Sequence, residues 1–270
     1  MIFASTLIYA LGKQLGYQGA VEEFHRQLRA SGPDTLPAAR VMQRLQQLDD
    51  VQLMVDPGCT SIPKARCRAF GNAALSPADV WVMVDDDTDA TIDTLDLLVQ
   101  AARQGGGLVL APCRLREQQR INVALYKLDC DRFLPDGARL IRAHAGGLAL
   151  AAMSRPAMNS VAEHFRELDG FPFIDHDGSA RLALFKELVW NGHWVGEDVA
   201  FCGRCAEAGV RVEALANGVT AHAGQGLLLN EIDQMPGLEG TGWKKPYTAP
   251  SVRDASAAEL LIHSERHRAG

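Results

Sequence analysis

Residues 80–88 read Val-Trp-Val-Met-Val-Asp-Asp-Asp-Thr, an apolar run that stops at three successive carboxylates. A short run of Val and Trp reads as a strand buried on both faces, and open α/β sheets bind their ligands at the carboxyl ends of such strands. Asp85, Asp86 and Asp87 repel one another at that position, so the arrangement calls for a cation. A hard divalent ion such as Mg²⁺ or Mn²⁺, itself holding phosphate oxygens, suits three clustered acids.

The surrounding pattern predicts strand 2–9, helix 18–30, helix 36–48, strand 51–55, helix 62–75, strand 80–84 and helix 91–103. Gly105-Gly-Gly107 then breaks the chain before a fourth strand, 108–111, closed by Pro112. Strands alternating with helices imply an α/β fold with a mostly parallel, doubly wound sheet. The second half is less regular. It holds a polar stretch at 114–144, an apolar run at 148–153, a helix from Pro156 to Phe165, a loop at 170–178 and a short helix from Arg181 to Val189. A helix from Val199 to Ala208 and a strand at 210–214 follow, and the tail beyond Gly224, with Trp243-Lys-Lys-Pro-Tyr247 and a polar helix near 254–268, reads as a lid or as a partly disordered tail. One domain over 1–225 is expected, with a first half (1–112), a second half (113–225) and the tail 226–270.

A hydrophobic content of 47% over 270 residues is enough for a substantial core. A net charge of -6 leaves no general footprint for nucleic acid, although a local basic track remains compatible with it. Cys59, Cys67, Cys113, Cys130, Cys202 and Cys205 are scattered rather than densely spaced, which reads as reduced thiols in a cytoplasmic protein. The N-terminal segment has no basic region, and its apolar stretch is shorter than the roughly 20 residues of a spanning helix.

A second acidic signal is Gly196-Glu-Asp198 at the start of the 199–208 helix. Carboxylates are favourable at a helix start, so Glu197 and Asp198 read either as caps or as working acids. His222, in Thr220-Ala-His-Ala-Gly224, reads as a structural histidine or as a ligand.

Together these segments resemble the nucleotide-sugar glycosyltransferases of the GT-A fold, particularly the family-2-like enzymes of bacteria and their phages, over roughly residues 50–225. Ser61-Ile-Pro-Lys-Ala-Arg66 is similar to that family's Ser-x-Ile-x-x-Ala-Arg-Asn segment, with Cys67 in place of Asn. Val84-Asp-Asp-Asp87 resembles its Asp-x-Asp motif, Gly146-Gly-Leu-Ala-Leu150 its acceptor-side glycine segment, Gly196-Glu-Asp-Val-Ala-Phe-Cys202 its Glu-Asp helix, and Thr220-Ala-His-Ala-Gly224 its His-x-Gly.

The resemblance implies a hexosyltransferase-type enzyme that moves a sugar from a nucleoside diphosphate, a UDP-sugar before a GDP-sugar, with Mn²⁺ or Mg²⁺ as cofactor. It places Asp87 on the metal, Asp85 on the metal or the ribose, and His222 in the metal shell. Thr6, Asp56 and Asp86 join the donor pocket, Lys64 and Arg66 meet the base or phosphates, and Lys244 with Lys245 closes over the diphosphate. Asp198 is the candidate base for the acceptor hydroxyl and Glu197 its positioning partner. The acceptor is a soluble hydroxyl compound, a glycan or a hydroxymethylated pyrimidine in phage DNA; a phage-encoded enzyme would work in the host cytoplasm. Recognition of DNA would need a basic track, for which Arg114, Arg116, Arg120, Lys244, Lys245, Arg266 and Arg268 are candidates, against the alternative of dispersed surface charge.

Rival readings attach to the same residues. Asp85, Asp87, Asp89, Asp93 and Asp96 follow a calcium-loop spacing, but Ala90 takes the place of its glycine and a strand precedes the loop. Asp87-Thr-Asp-Ala-Thr91 matches the Asp-x-Asp-x-Thr of magnesium-dependent phosphohydrolases. Cys202-Gly-Arg-Cys205 has the spacing of a redox pair, although Glu197 and Asp198 already occupy that helix start. A sugar-nucleotide-binding module without turnover is the non-enzymatic alternative.

Overall fold

The computed structural model describes all residues except 31, 33, 57–60, 115–120, 126–130, 191, 223–224 and 229–270. In chain order the described elements begin with β1 (Ile2–Leu7), α1 (Tyr9–Arg29), α2 (Pro37–Leu48), β2 (Val51–Asp56), α3 (Ile62–Leu75), β3 (Val80–Asp85), β4 (Thr88–Ala90), α4 (Ile92–Gly105) and β5 (Leu108–Leu110). Then come β6 (Val123–Leu125), β7 (Asp131–Phe133), β8 (Arg139–Gly146), β9 (Leu150–Ser154), α5 (Arg155–Phe165), the hairpin strands β10 (Pro172–Ile174) and β11 (Ala180–Leu182), and a second hairpin, β12 (Leu188–Trp190) and β13 (His193–Val195). The chain closes with α6 (Glu197–Glu207), β14 (Val212–Leu215), β15 (Val219–His222) and β16 (Gln225–Leu228).

The central sheet has the order β2-β1-β3-β9-β5-β14-β8-β6, with β7 also on β8. β1 runs parallel to β2 and β3, and β14 parallel to β5. β9 is antiparallel to both β3 and β5, and β8 to β14, β6 and β7. Only β8 and β9 are therefore reversed, and the chain forms an α/β fold around a mostly parallel sheet. Helices α1, α2 and α4 pack with one another along the sheet, as do α3, α5 and α6. No helix among the described residues is long and apolar enough to cross a membrane.

One packing relation sets up the rest. Side chains alternate along a strand, so Trp81, Met83 and Asp85 of β3 share a face. Trp81 meets Phe70 of α3 edge-on with ring centroids 5.8 Å apart, and Phe70 in turn meets Phe201 of α6 at 6.3 Å. Phe185 stacks on Phe201 at 4.2 Å, and the Trp81 indole N–H donates to Ser5 Oγ at 2.9 Å. Burial of each such aromatic contributes about 1.5–3 kcal/mol. Four residues from each anchor lies a charged residue on the same side: Asp85 beyond Trp81, Arg66 before Phe70, Glu197 before Phe201. The aromatic layer thus carries an ionic layer above it, at the carboxyl end of β3.

Four expected segments differ. Helix α1 starts at Tyr9 instead of 18, interrupted at Gly16, whose φ of 71° and ψ of 176° only glycine takes easily. The expected helix 181–189 is instead part of β11, a connecting segment and part of β12. Arg204 holds the connecting segment in this path: its guanidinium donates to the carbonyls of Leu184 at 2.6 Å and Lys186 at 2.7 Å, the first of which a helix would have used in its own ladder. The loop 170–178 contains β10, and the polar stretch 114–144 contributes β6, β7 and most of β8.

Candidate active site

Arg66 is the centre of the ionic layer. Its Nη2 donates to Asp85 at 3.0 Å (Oδ1) and 3.3 Å (Oδ2), and its Nη1 donates to Glu197 Oε1 at 3.1 Å. Nη1 also pairs with Asp198 Oδ1. The second oxygen of Asp198 accepts the backbone N–H of Leu148 at 3.1 Å. That approach depends on Gly146-Gly147. A Cβ on Gly146 would stand 2.8 Å from Leu110 and 2.9 Å from Val123, and one on Gly147 2.8 Å from the Asn122 side chain. Glu197 and Asp198 do occupy the first turn of α6, as a capping role would require. The carboxylate of Asp198 is nevertheless directed at Arg66 and at Leu148, beyond its own helix.

Asp87 and His222 form a second pair. Strand β4 pairs antiparallel with β15, which brings His222 opposite Thr88 and its Nε2 to 3.3 Å from Asp87 Oδ1. His222 Nδ1 lies 3.2 Å from the carbonyl oxygen of Arg114. A carbonyl only accepts, so Nδ1 carries the hydrogen. In the neutral ring this turns the Nε2 lone pair toward a carboxylate oxygen, and a proton or a metal ion must sit between them. Metal-binding histidines are oriented by just such a bond from the other nitrogen to a backbone carbonyl. The pair is anchored from behind: Asp89 is held by Arg40 Nε at 2.8 Å and by Arg44, and Thr220 Oγ1 donates to the Pro112 carbonyl at 2.9 Å.

Asp87 and His222 fit a divalent ion that takes its remaining ligands from phosphate and water, the usual habit of Mg²⁺. Asp85, expected on the metal or ribose, is paired with Arg66. No group of three or more His, Cys, Asp or Glu among the described residues is arranged to hold an ion. Asp86 sits in the turn between β3 and β4, its carbonyl facing the Ala38 amide at 3.5 Å.

The residues expected on the donor side lie on β1 and on opposite faces of α3. Thr6, at the end of β1 between Val55 and Val84, is buried, and its hydroxyl has no partner among the described residues. Lys64 and Arg68, one turn apart, point away from Arg66: Lys64 Nζ is 2.8 Å from Asp175, and Arg68 Nη2 is 2.9 Å from Asp56. Asp175 is buried in the hairpin turn between β10 and β11. Burial favours its neutral form, yet Lys64 and the amide and ring of His176 together hold its carboxyl well below the usual range. Gly71 continues the stripe, and a Cβ there would lie 2.8 Å from Arg181 Nη1. Lys64 and Arg66, expected side by side on the donor, therefore serve different clusters.

Lys244, Lys245, Arg116, Arg120, Arg266 and Arg268 lie outside the described residues, so of the candidate DNA track Arg114 alone is placed. The acids of the calcium-loop spacing are divided: Asp85 pairs with Arg66, Asp87 with His222 and Asp89 with Arg40 and Arg44, while Asp93 lies in the first turn of α4 and Asp96 accepts from Gln100. Cys202 and Cys205 are buried; burial pushes the Cys202 thiol up to about 12 and that of Cys205 well above its usual value, the opposite of a reactive thiolate. The Leu148 amide, the Arg114 carbonyl, Arg68 and Asp175 have no role expected from sequence. Gly146-Gly147 was the available sign for the first, and the i,i+4 spacing of Lys64 and Arg68 for the last two.

No family model matches the chain, and no curated protein does. Among solved structures it is similar to A197 from STIV, at 12% identity over 84% of this chain and 92% of that one, with a TM-score of 0.43. A structure of GalNAc-T7 with UDP, GalNAc and Mn²⁺ matches at 9% identity and a TM-score of 0.43, over 82% of this chain and 43% of that one. S. aureus TarS 1–349 in complex with UDP-GlcNAc matches at 11% identity and 0.40, over 82% and 57%. At such scores these likenesses decide neither family nor activity.

Proposed function

We propose that the chain is a metal-dependent glycosyltransferase of the GT-A type. It would move a hexose from a nucleoside diphosphate, UDP favoured, to the hydroxyl of a glycan or of a hydroxymethylated pyrimidine in DNA. The observation that carries this reading is the placing of Asp198 between the Leu148 amide and Arg66, in the same ionic layer as Asp85. The Asp87–His222 pair, with its histidine tautomer set by a backbone carbonyl, supplies the metal half of the argument. The order of the motifs, from Ser61 to His222, supports it further.

In this reading Asp87 and His222 would hold a divalent ion, which when bound would supply positive charge against that developing on the departing diphosphate. Asp198 takes the proton of the acceptor hydroxyl. The freed oxygen electron pair forms a bond to the anomeric carbon, and the bond from that carbon to the β-phosphate oxygen breaks, its electrons leaving with the nucleoside diphosphate. A base placed for in-line attack corresponds to inversion at that carbon. Thr6, whose buried hydroxyl has no partner among the described residues, is the candidate contact to the nucleoside, whereas Asp56, expected beside it, is paired with Arg68. The phosphohydrolase reading is less favoured, since the second acid of its motif, Asp89, is tied to Arg40 and Arg44.

The test is turnover of UDP- and GDP-sugars with Mn²⁺ over an acceptor panel that includes hydroxymethylated DNA, with Asp198→Asn in parallel. A general base contributes about 10²–10⁴-fold, so the variant should lose turnover by that factor and keep donor binding. Equal loss of both would return Asp198 to a capping role. Donor binding with no turnover in the unaltered protein would make the chain a binding module.

A further inference from the structure

Among the described residues, Asp85, Glu197 and Asp198 all pair with the same guanidinium. Asp85 ends the strand that leads to the metal pair, and Asp198 opens the helix that carries the candidate base. Arg66 is buried between them on a helix turn fixed from below by Phe70, Trp81 and Phe201. The neighbouring cations of α3, Lys64 and Arg68, face Asp175 and Asp56 instead. Three carboxylates gathered without a cation would repel one another and could not all stay ionised. The planar fork of arginine meets them from two directions at once, one nitrogen on Asp85 and the other on both acids of α6, a geometry the point charge of lysine cannot reproduce.

We infer that Arg66 is a positioning residue that couples the donor side of the site to the acceptor side, fixing the candidate base by the same side chain that fixes Asp85. It rests on the transferase reading for the meaning of donor and acceptor. In this inference Arg66 acts through Asp85 and Asp198 rather than on the base or phosphates of the donor. A displacement of Asp85 during donor binding is passed through the guanidinium to Asp198, and the acceptor base reaches its working position with the donor in place.

Two measurements on the full chain test this. The first compares Asp85→Asn, Asp198→Asn and the double variant in the Arg66 protein and in Arg66→Lys, reading thermal unfolding. Coupled residues give non-additive shifts. Non-additivity with Arg66 and additivity with lysine are expected; additive shifts in both backgrounds would overturn the inference. This arm needs no donor, so it decides on Arg66 even if the protein turns out to transfer no sugar. The second splits kcat from KM in Arg66→Lys. Misplacement of a catalytic group by about 1 Å costs on the order of 100-fold, so kcat should fall by about that factor while the donor KM stays within about 3-fold. Arg66→Ala should recover part of its turnover with added guanidinium ion. A raised donor KM with kcat unchanged would make Arg66 a donor contact and overturn the inference.

Discussion

Two ion clusters share the first turns of α3 and differ in how far they are closed. Around Arg66, the side chains of Asp85, Glu197 and Asp198 keep 31%, 21% and 25% of their surface in solvent. Around Lys64 and Arg68, Asp56 keeps 4% and Asp175 none. A carboxylate that is to receive a proton from a substrate needs an open side, and only the first cluster has one. The second closes hairpin β10–β11 onto the stripe of α3 formed by Lys64, Arg68 and Gly71. One helix therefore carries an open ionic cluster on one face and a closed anchor on the other, and the difference lies in burial.

The contrast can be broken by exchanging the effects of the two clusters. The largest effect on stability is expected at the anchor. Asp175→Ala leaves Lys64 and Arg68 without their shared carboxylate, at a cost of about 2–3 kcal/mol in urea unfolding. That is below the cost of a deeply buried pair, because Lys64 keeps 40% of its side chain in solvent. A cost under about 0.5 kcal/mol, as for an exposed pair, would erase the distinction.

The same residue gives a pH signature. The folded pKa of Asp175 is depressed below its ordinary 3.8, so its contribution is present above that value and is lost as pH falls toward the depressed one. Unfolding free energy followed from pH 6 downward should show wild type and Asp175→Asn converging below pH 4. A constant gap across that range would show that the carboxylate charge is not what the hairpin uses.

At the open cluster, Asp198→Asn should move stability by less than about 1 kcal/mol, because Arg66 retains Asp85 and Glu197. A larger loss would make that cluster an anchor too. The smallest effect is expected for Gly71→Ala. Its Cβ would press on the far end of the flexible Arg181 side chain, while alanine recovers up to about 1 kcal/mol of helix propensity, so the net change by thermal unfolding should stay within about 0.5 kcal/mol.

What the sequence shows of all this follows the range of the interactions. The strand at 80–85 and its acids are legible because an apolar run ending in charge is a local signal. The reversal of β9 is not, since a strand buried on both faces carries the same composition whichever way it runs. The 181–189 segment resists reading because its carbonyls are claimed by Arg204, about 20 residues on. Arg66 has partners 19 and 131 residues away, so no local pattern separates its destination from that of Lys64, two residues before it. Asp175 lies in a segment that reads as loop, and its burial appears only when the hairpin is folded onto α3. The Asp87–His222 pair is expected from the motif resemblance, and the tautomer that makes it suitable for a metal comes from a backbone carbonyl that no sequence pattern exposes.

The central claim is that Asp87 and His222 hold a divalent ion for a nucleoside diphosphate. It is tested most directly by calorimetric titration of the protein with UDP and GDP, with and without Mn²⁺, alongside Asp87→Ala and His222→Ala. The expected result is binding that requires Mn²⁺ and weakens by at least about 10–100-fold in either variant. Binding of equal strength with and without the metal, or unchanged in both variants, would contradict the account.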